Sequence, residues 1–171
     1  MRTTTIRLAV AGCMLLFPAG ARAQSDTVDR EFPQGDFTVA ISHDALTDAN
    51  TSSAMTPAES GEGALGWKCL EDGLNVVLAI GRYYEGDDDN DIVVQYRFDD
   101  EDAQPQEYWP LFSSKEWAYI PMSKVAPFTA SALESRRIVL RAVDPFDDET
   151  HTFVFKVDGL EKALRNLPCV D

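Results

Sequence analysis

Two of the three cysteines, Cys69 and Cys169, have the strongest potential for chemistry in this chain. A cysteine nucleophile needs a base beside it, and the two histidines, His43 and His151, stand in no recognisable cysteine-protease context. A zinc site is disfavoured, because no Cys or His pair has the short spacing of zinc ligands. Two cysteines in an oxidising compartment usually pair, so we expect a disulfide bond between Cys69 and Cys169 if the protein is exported, as its first residues indicate below.

An acidic link with the sequence EGDDDND is the second candidate site. The alternating carboxylates of Asp87, Asp89 and Asp91 are weak candidate ligands for Ca²⁺, which prefers oxygen. An EF-hand loop starting at Asp87 needs Gly at its sixth position and Glu at its twelfth, where this chain has Ile92 and Phe98. The pattern favours a solvated hairpin tip, and we expect no required metal or other cofactor.

Three arginines and two aromatic residues are candidates for contact with a protein partner. Arg97 and Arg141 fall on the expected outward faces of apolar strands, and Arg82 follows another strand. If these strands are neighbours, the guanidinium groups form a row that would bind carboxylates of a partner, and pairing with acids of the same sheet is the alternative. Tyr108 and Trp109 would anchor a partner if exposed, or belong to the core.

Motifs of the common enzyme classes do not occur. The chain contains no Gly-X-Ser-X-Gly sequence, no phosphate-binding glycine loop and no His-Glu-X-X-His sequence. Paired carboxylates for glycoside hydrolysis need a set separation that a sequence cannot show, and acidic residues are abundant here. We therefore predict that the protein is not an enzyme.

The chain begins with the pattern of a secretory signal peptide, which predicts a periplasmic or secreted protein. Residues 1–23 contain a basic start, an apolar run and small residues before a cleavage point after Ala23. Lipoprotein processing at Cys13 is the alternative, but it leaves an apolar run shorter than the roughly 7 residues that a signal needs. No later run approaches the roughly 18 apolar residues of a membrane helix, so we expect no membrane span.

The balance of charge restricts the class of partner. Acidic residues outnumber basic residues by 29 to 15, which gives a formal net charge of −14. Nucleic acids and anionic lipid surfaces require clustered Lys and Arg, so both are disfavoured as partners. The acidity suits a basic protein partner, and it also serves solubility.

The sequence pattern predicts that most of these residues are positioned by β-strands. Residues 24–36 are polar and predict a flexible leader, and residues 43–64 predict a long surface loop. Alternating apolar residues predict strands at 37–41, 65–70, 74–80, 92–98, 115–120, 138–143 and 150–157. A short helix is expected at 126–136 with Thr129 as its N-cap, and a terminal helix is expected to start in a capping box at Asp158.

These elements predict one β-rich domain over residues 37–171. Short strands with two peripheral helices are typical of a β-sandwich or a strongly bent antiparallel sheet, with one short helix and a packed C-terminal helix. The terminal helix carries an apolar stripe and ends just before Cys169, so the disulfide bond would fasten it to the strand that carries Cys69. No internal repeat is visible in the sequence.

Framework residues occur in a recognisable order along most of this chain. They are HDALTD at 43–48, WKC before a glycine turn, YRFD at 96–99, Trp109, the stretch 133–141, and a Gly-Leu helix before Cys169. In this order they resemble exported accessory proteins associated with bacterial type VI secretion systems. The resemblance implies a small periplasmic β domain with one disulfide bond and an accessory, non-enzymatic role, and it transfers no catalytic residue.

Two other classes of binding protein remain as alternatives. Exported β proteins that inhibit lysozymes are similar in having an aromatic-X-Cys strand and a disulfide bond, and an acidic surface would suit a basic lysozyme. Their inhibitory loop signature is missing from this sequence. A Ca²⁺- or carbohydrate-binding module is the third possibility, and it rests only on the loops and the acidic residues.

Overall fold

The structure is a computed structural model that describes residues 26–170, so the expected signal peptide and Cys13 lie outside the described residues. Neither helix within 26–170 has the length and apolar character needed to cross a bilayer. The elements in chain order are β1 Thr27–Gln34, β2 Phe37–His43, β3 Ser53–Pro57, β4 Ala64–Leu70, β5 Gly73–Ala79, β6 Asp91–Phe98, β7 Glu107–Pro110, β8 Trp117–Tyr119, α1 Met122–Leu133, β9 Arg137–Val143, β10 Thr150–Lys156 and α2 Leu160–Leu164.

The strands form two antiparallel sheets that share one core, which confirms the predicted sandwich-like β fold. One sheet has the order β1-β2-β3-β4-β5-β8, and the other has the order β10-β9-β6-β7. The strands alternate as their sequences predict, and in β6 every second residue from Ile92 to Phe98 is buried. These inward side chains meet those of β4 and β5, such as Trp67 and Leu78, in a single apolar cluster.

The last strand crosses the ends of three strands of the larger sheet. The N–H of Asp36, just before β2, donates to the carbonyl of Asp158, just after β10. Ala58, just after β3, bridges Phe155 in the middle of β10, and Arg82, beyond β5, contacts the residue that precedes β10. The two sheets therefore cross at a steep angle instead of aligning their strands.

Helix α1 closes the core on the aromatic side and begins earlier than predicted. Its residue Phe128 packs edge to face against Tyr96, Phe98 and Trp109, which buries the helix face that contains it. The predicted bounds of 126–136 were wrong, because the helix starts four residues earlier and contains Pro127 in its interior. The expected N-cap Thr129 is also inside the helix.

Helix α2 and the disulfide bond lie near the C-terminal end of the described residues. The apolar stripe of the helix is buried as predicted, but no side chain caps its start, where Gly159 has a left-handed backbone with φ of 92°. Cys69 and Cys169 are bonded with a Cα–Cα distance of 5.8 Å across a separation of 100 residues. In the chain-entropy account, a disulfide bond that closes a loop of this length raises the free energy of unfolding by up to about 4 to 5 kcal/mol.

Two strands occupy segments that were predicted to be irregular. The expected flexible leader contains β1, an edge strand whose residues are mostly exposed on both faces, so its sequence lacks an apolar alternation. The expected long loop contains β3, where the small residue Ala54 and the polar Thr56 are buried. The hydroxyl of Thr56 donates to the carbonyl of Lys156, which satisfies it inside the core. Within residues 26–170, the first strand therefore begins at Thr27 and not at Phe37.

Candidate functional site

The outward face of the four-stranded sheet carries most of the side chains that were predicted to contact a partner. Inward residues of β6, β9 and β10 fill the core, so the alternate residues face away from it. Strand pairing places Arg141 between Gln95 and Thr152 in one row, and places Arg97 opposite Val139 in the next row. Arg97 and Arg141 are therefore diagonal neighbours, about 7 to 8 Å apart.

These two arginines have no intramolecular counter-ion within residues 26–170. Neither guanidinium group forms an ion pair or a side-chain hydrogen bond in the described part of the chain, although acidic residues outnumber basic ones by 29 to 15 overall. Pairing with acids of the same sheet was the alternative for both, and the described residues do not show it. A shallow hollow of about 270 Å³ lies between them and is lined also by Gln95, Ala103 and Thr152.

Two further basic side chains extend this face, and neither was among the residues predicted to contact a partner. Lys156 pairs with Arg137 across β10 and β9, so both lie one row beyond Arg97. Arg137 contacts Asp100, and Lys156 contacts Glu59 at 3.3 Å. The same alternation that identified Arg97 would have identified both residues. We call the outward surface formed by Arg97, Arg137, Arg141 and Lys156 the basic face.

Tyr108 and Trp109 have opposite environments. Tyr108 is 59% exposed and lies opposite Val93 on the outward side of β7, so it borders the basic face. Trp109 is fully buried and packs against Tyr96 and Phe128, so its candidacy as an exposed partner anchor is wrong. Adjacent residues of a strand must face opposite sides, and the core takes the larger apolar ring.

Arg82 does not join the other two arginines. It lies beyond β5, where its guanidinium contacts Glu62 at 2.6 Å and Glu149 at 3.3 Å. Glu149 also lies 3.6 Å from Nε2 of His151, whose Nδ1 contacts the hydroxyl of Tyr84 at 2.8 Å. Burial raises the pKa of Tyr84, so this hydroxyl remains protonated. The arrangement fastens the start of β10 to the chain after β5.

The acidic link folds around the carboxylate of its first aspartate, Asp87. Oδ1 of Asp87 accepts hydrogen bonds from the N–H groups of Asp89 at 3.0 Å and Asp91 at 2.9 Å, which is the geometry of a turn. Partial burial, Asp87 and Asp89 together raise the pKa of Asp91. Within residues 26–170, no group of three or more His, Cys, Asp or Glu side chains is placed to hold a metal ion.

The remaining candidates for nucleophilic chemistry are used in structural contacts. Cys69 is bonded to Cys169 and has no free thiol. Nδ1 of His43 contacts Asp29 at 3.0 Å, which connects β2 to β1. The geometry of the basic face, with exposed or partly exposed arginines beside an exposed tyrosine ring, can bind carboxylates without making or breaking covalent bonds.

No family model, no curated protein and no solved structure matches the chain.

Proposed function

We propose that this is an exported, non-enzymatic interaction protein whose basic face binds an acidic segment of a protein partner. The observation that supports this most directly is the pair of guanidinium groups on Arg97 and Arg141, which have no acidic partner within residues 26–170. Like charges on neighbouring strands repel each other, so leaving them together costs stability unless another molecule supplies the counter-charge.

The spacing of the arginines suits an extended partner. Alternate side chains on one side of a β-strand are about 6.8 Å apart, which is close to the diagonal separation of Arg97 and Arg141. A partner strand with acidic residues at every second position would therefore place one carboxylate on each guanidinium. Each such contact is a charge-assisted hydrogen bond, which adds a preferred orientation to the attraction between the two charges. Tyr108 adds an exposed ring at the end of the same face.

The proposed setting is an accessory role at a type VI secretion apparatus. The resemblance of the framework residues supports it, and so does the disulfide bond, which is typical of proteins in oxidising compartments outside the cytoplasm. Its test is the identity of the neighbouring genes. Secretion-apparatus genes beside this one support the setting, and their absence contradicts it without touching the proposed chemistry of the basic face.

A binding experiment with two synthetic peptides tests the basic face. One peptide has Glu at every second position, and the other has Gln at the same positions. We expect titration calorimetry to show binding of the Glu peptide alone, with an affinity that falls as salt is added. Replacing both guanidinium groups, Arg97→Gln with Arg141→Gln, should weaken binding at least about tenfold, because two charge-assisted contacts are lost.

The matched control removes two exposed positive charges elsewhere. Arg30 lies on the edge strand β1 and Lys162 lies on α2, and both are outside the basic face. The double variant Arg30→Gln with Lys162→Gln should retain nearly all of the binding. An equal loss in the two double variants, or no binding of the Glu peptide by the parent protein, would contradict the proposal.

A further inference from the structure

A second site lies on the other side of β6, in a cavity of about 410 Å³ between α1 and the chain that precedes β7. Three aromatic side chains and two prolines form its apolar lining, and its polar lining comes from two glutamines, one serine, Glu107 and Lys124. The apolar members are Tyr96, Phe98, Pro105, Pro127 and Phe128. Apolar and polar residues thus contribute equally to the lining, and a concave site with converging polar groups is typical of ligand binding.

The carboxylate of Glu107 lies at a position where the strand pattern requires an apolar residue. Glu107 and Trp109 alternate with the exposed Tyr108 in β7, so both face inward. The side chain of Glu107 is only 13% exposed, and its oxygens lie 3.0 Å from Nζ of Lys124 and 3.5 Å from Nε1 of Trp109. Removing a carboxylate from water costs free energy, and residues that break the local pattern concentrate at functional sites.

The tyrosine beside this carboxylate remains a neutral donor. Burial and the nearby Glu107 carboxylate raise the pKa of Tyr96 to about 12. Glu107 is therefore the one carboxylate among the lining residues, and it lies beside three aromatic side chains. This combination attracts a cation through both the carboxylate and the ring electrons.

Lys124 is the intramolecular cation that pairs with Glu107, but this ion pair is weak. Its side chain is 51% exposed, and a pair that involves such an exposed ammonium contributes little stability. Lys124 also lies in the first turn of α1, whose N-terminus carries partial positive charge that disfavours a basic side chain. A competing ammonium group can therefore displace it from Glu107 at small cost.

We propose that this cavity binds an alkylammonium group, such as the end of a lysine side chain, and that Lys124 occupies the carboxylate when no ligand is bound. The ligand's ammonium group would contact Glu107, and its alkyl chain would lie along Phe98, Pro105 and Phe128. This inference does not depend on the basic face. That face is proposed to bind carboxylates, whereas the cavity would bind an ammonium group, and the two sites lie on opposite sides of β6.

Calorimetry with two small probes tests this site in the oxidised protein. The first probe is Nα-acetyl-lysine methylamide, and the second is its neutral isostere, Nα-acetyl-norleucine methylamide. We expect binding of the lysine probe only. Glu107→Gln should weaken it at least about tenfold, because a charge-assisted contact becomes a neutral one. Lys124→Met should strengthen it several-fold, because the competing ammonium group is removed while the apolar stem is retained.

The Lys124 variant keeps the test decisive if Glu107→Gln disturbs folding. Lys124→Met changes a half-exposed residue, so the native near-ultraviolet spectrum of the buried tryptophans should be unchanged. Weaker or equal binding of the lysine probe by Lys124→Met would overturn the proposal. Equal binding of the two probes, or no binding of either, would also overturn it.

Discussion

Two hairpin turns of this protein have the same local design in different surroundings. One begins at Asp44, after β2, and the other begins at Asp144, after β9. In both turns the starting carboxylate accepts a hydrogen bond from the backbone two residues later, at 3.0 Å from Leu46 and at 3.1 Å from Phe146. Each of these apolar residues is about three-quarters exposed at the tip of its turn.

The backbone of the two turns closes in the same way. The N–H of Asp48 donates to the carbonyl of Asp44 at 2.9 Å, and the N–H of Asp148 donates to the carbonyl of Asp144 at the same distance. Asp48 and Asp148 both have left-handed backbones, with φ of 57° and 61°. Asp tolerates this conformation better than most residues, which explains why the same residue type stands there twice.

The two starting carboxylates differ in what surrounds them. In the part of the chain that the structure describes, all hydrogen-bond donors to the side chain of Asp44 come from its own turn. Asp144 is only 3% exposed, and it also accepts hydrogen bonds from the N–H groups of Glu85 at 2.6 Å and Gly86 at 3.0 Å. A local sequence thus determines the shape of a turn, whereas its packing determines how much stability the turn provides.

The largest expected effect comes from Asp144→Ala. The change leaves two N–H groups of the acidic link without their acceptor, one of them buried, so we expect a loss of about 3 kcal/mol in the free energy of unfolding. Denaturant unfolding with the disulfide bond intact measures this loss. Amide hydrogen exchange at Glu85 and Gly86 should also become faster.

The matched control for that prediction lies in the same turn. Asp147→Ala removes one exposed carboxylate, which caps only the N–H of Glu149 at 3.0 Å, and should cost clearly less. Equal losses for Asp144→Ala and Asp147→Ala would show that local turn chemistry alone accounts for both.

The contrast between the turns also shows how far the sequence determines the fold. The segment DPFDDE lies between the predicted strands 138–143 and 150–157, and the structure confirms that it connects two strands. The segment that begins at Asp44 was included in a long loop, because the following strand β3 has few apolar residues to mark it. The repeat of the turn was not visible, because the two copies share only the two aspartates that start and end them.

The candidate sites show the same limit. Period-two alternation correctly placed Arg97 and Arg141 on an outward face, because that pattern is local. It could not place Arg82, because the position of that residue depends on which strands are neighbours, and strand order is not encoded locally. The inward position of Glu107 was also missed, because the pattern of a four-residue strand is too short to show which of its residues face the core.

A smaller effect is expected at Asp44, and it depends on pH. The Thr47 hydroxyl, the N–H of Thr47 and the N–H of Leu46 donate to this carboxylate and lower its pKa below 3.8. A lowered pKa means that the stabilisation is present above the unfolded value of about 3.9 and is lost as the pH falls through the folded value. Thr47→Val should raise the Asp44 pKa towards 3.8, as measured by NMR titration of the carboxyl carbon.

Thr47→Ser is the control for that titration, because it retains the hydroxyl donor. Its Asp44 pKa should remain close to that of the parent protein. If Thr47→Val leaves the Asp44 pKa unchanged, the hydroxyl is not what distinguishes this carboxylate, and the two backbone donors must account for the shift.

The smallest expected effect should be the same in both turns, since it concerns only the backbone that they share. Asp48→Gly and Asp148→Gly relieve a left-handed conformation that costs roughly 1 kcal/mol for a residue with a side chain, while the added freedom of the unfolded chain offsets part of the gain. Each variant should gain about 0.5 kcal/mol in the free energy of unfolding. Neither aspartate side chain forms an ion pair within residues 26–170, so no lost contact should obscure the gain.

Alanine at the same two positions separates backbone strain from charge. Asp48→Ala and Asp148→Ala remove the same negative charge but keep a β-carbon in the left-handed conformation, so they should not raise stability. A gain at only one of the two turns would mean that packing around the turn, and not its backbone, controls the response. Equal gains would show that the difference between the turns resides in the carboxylate of Asp144 and the two N–H groups that it accepts from the acidic link.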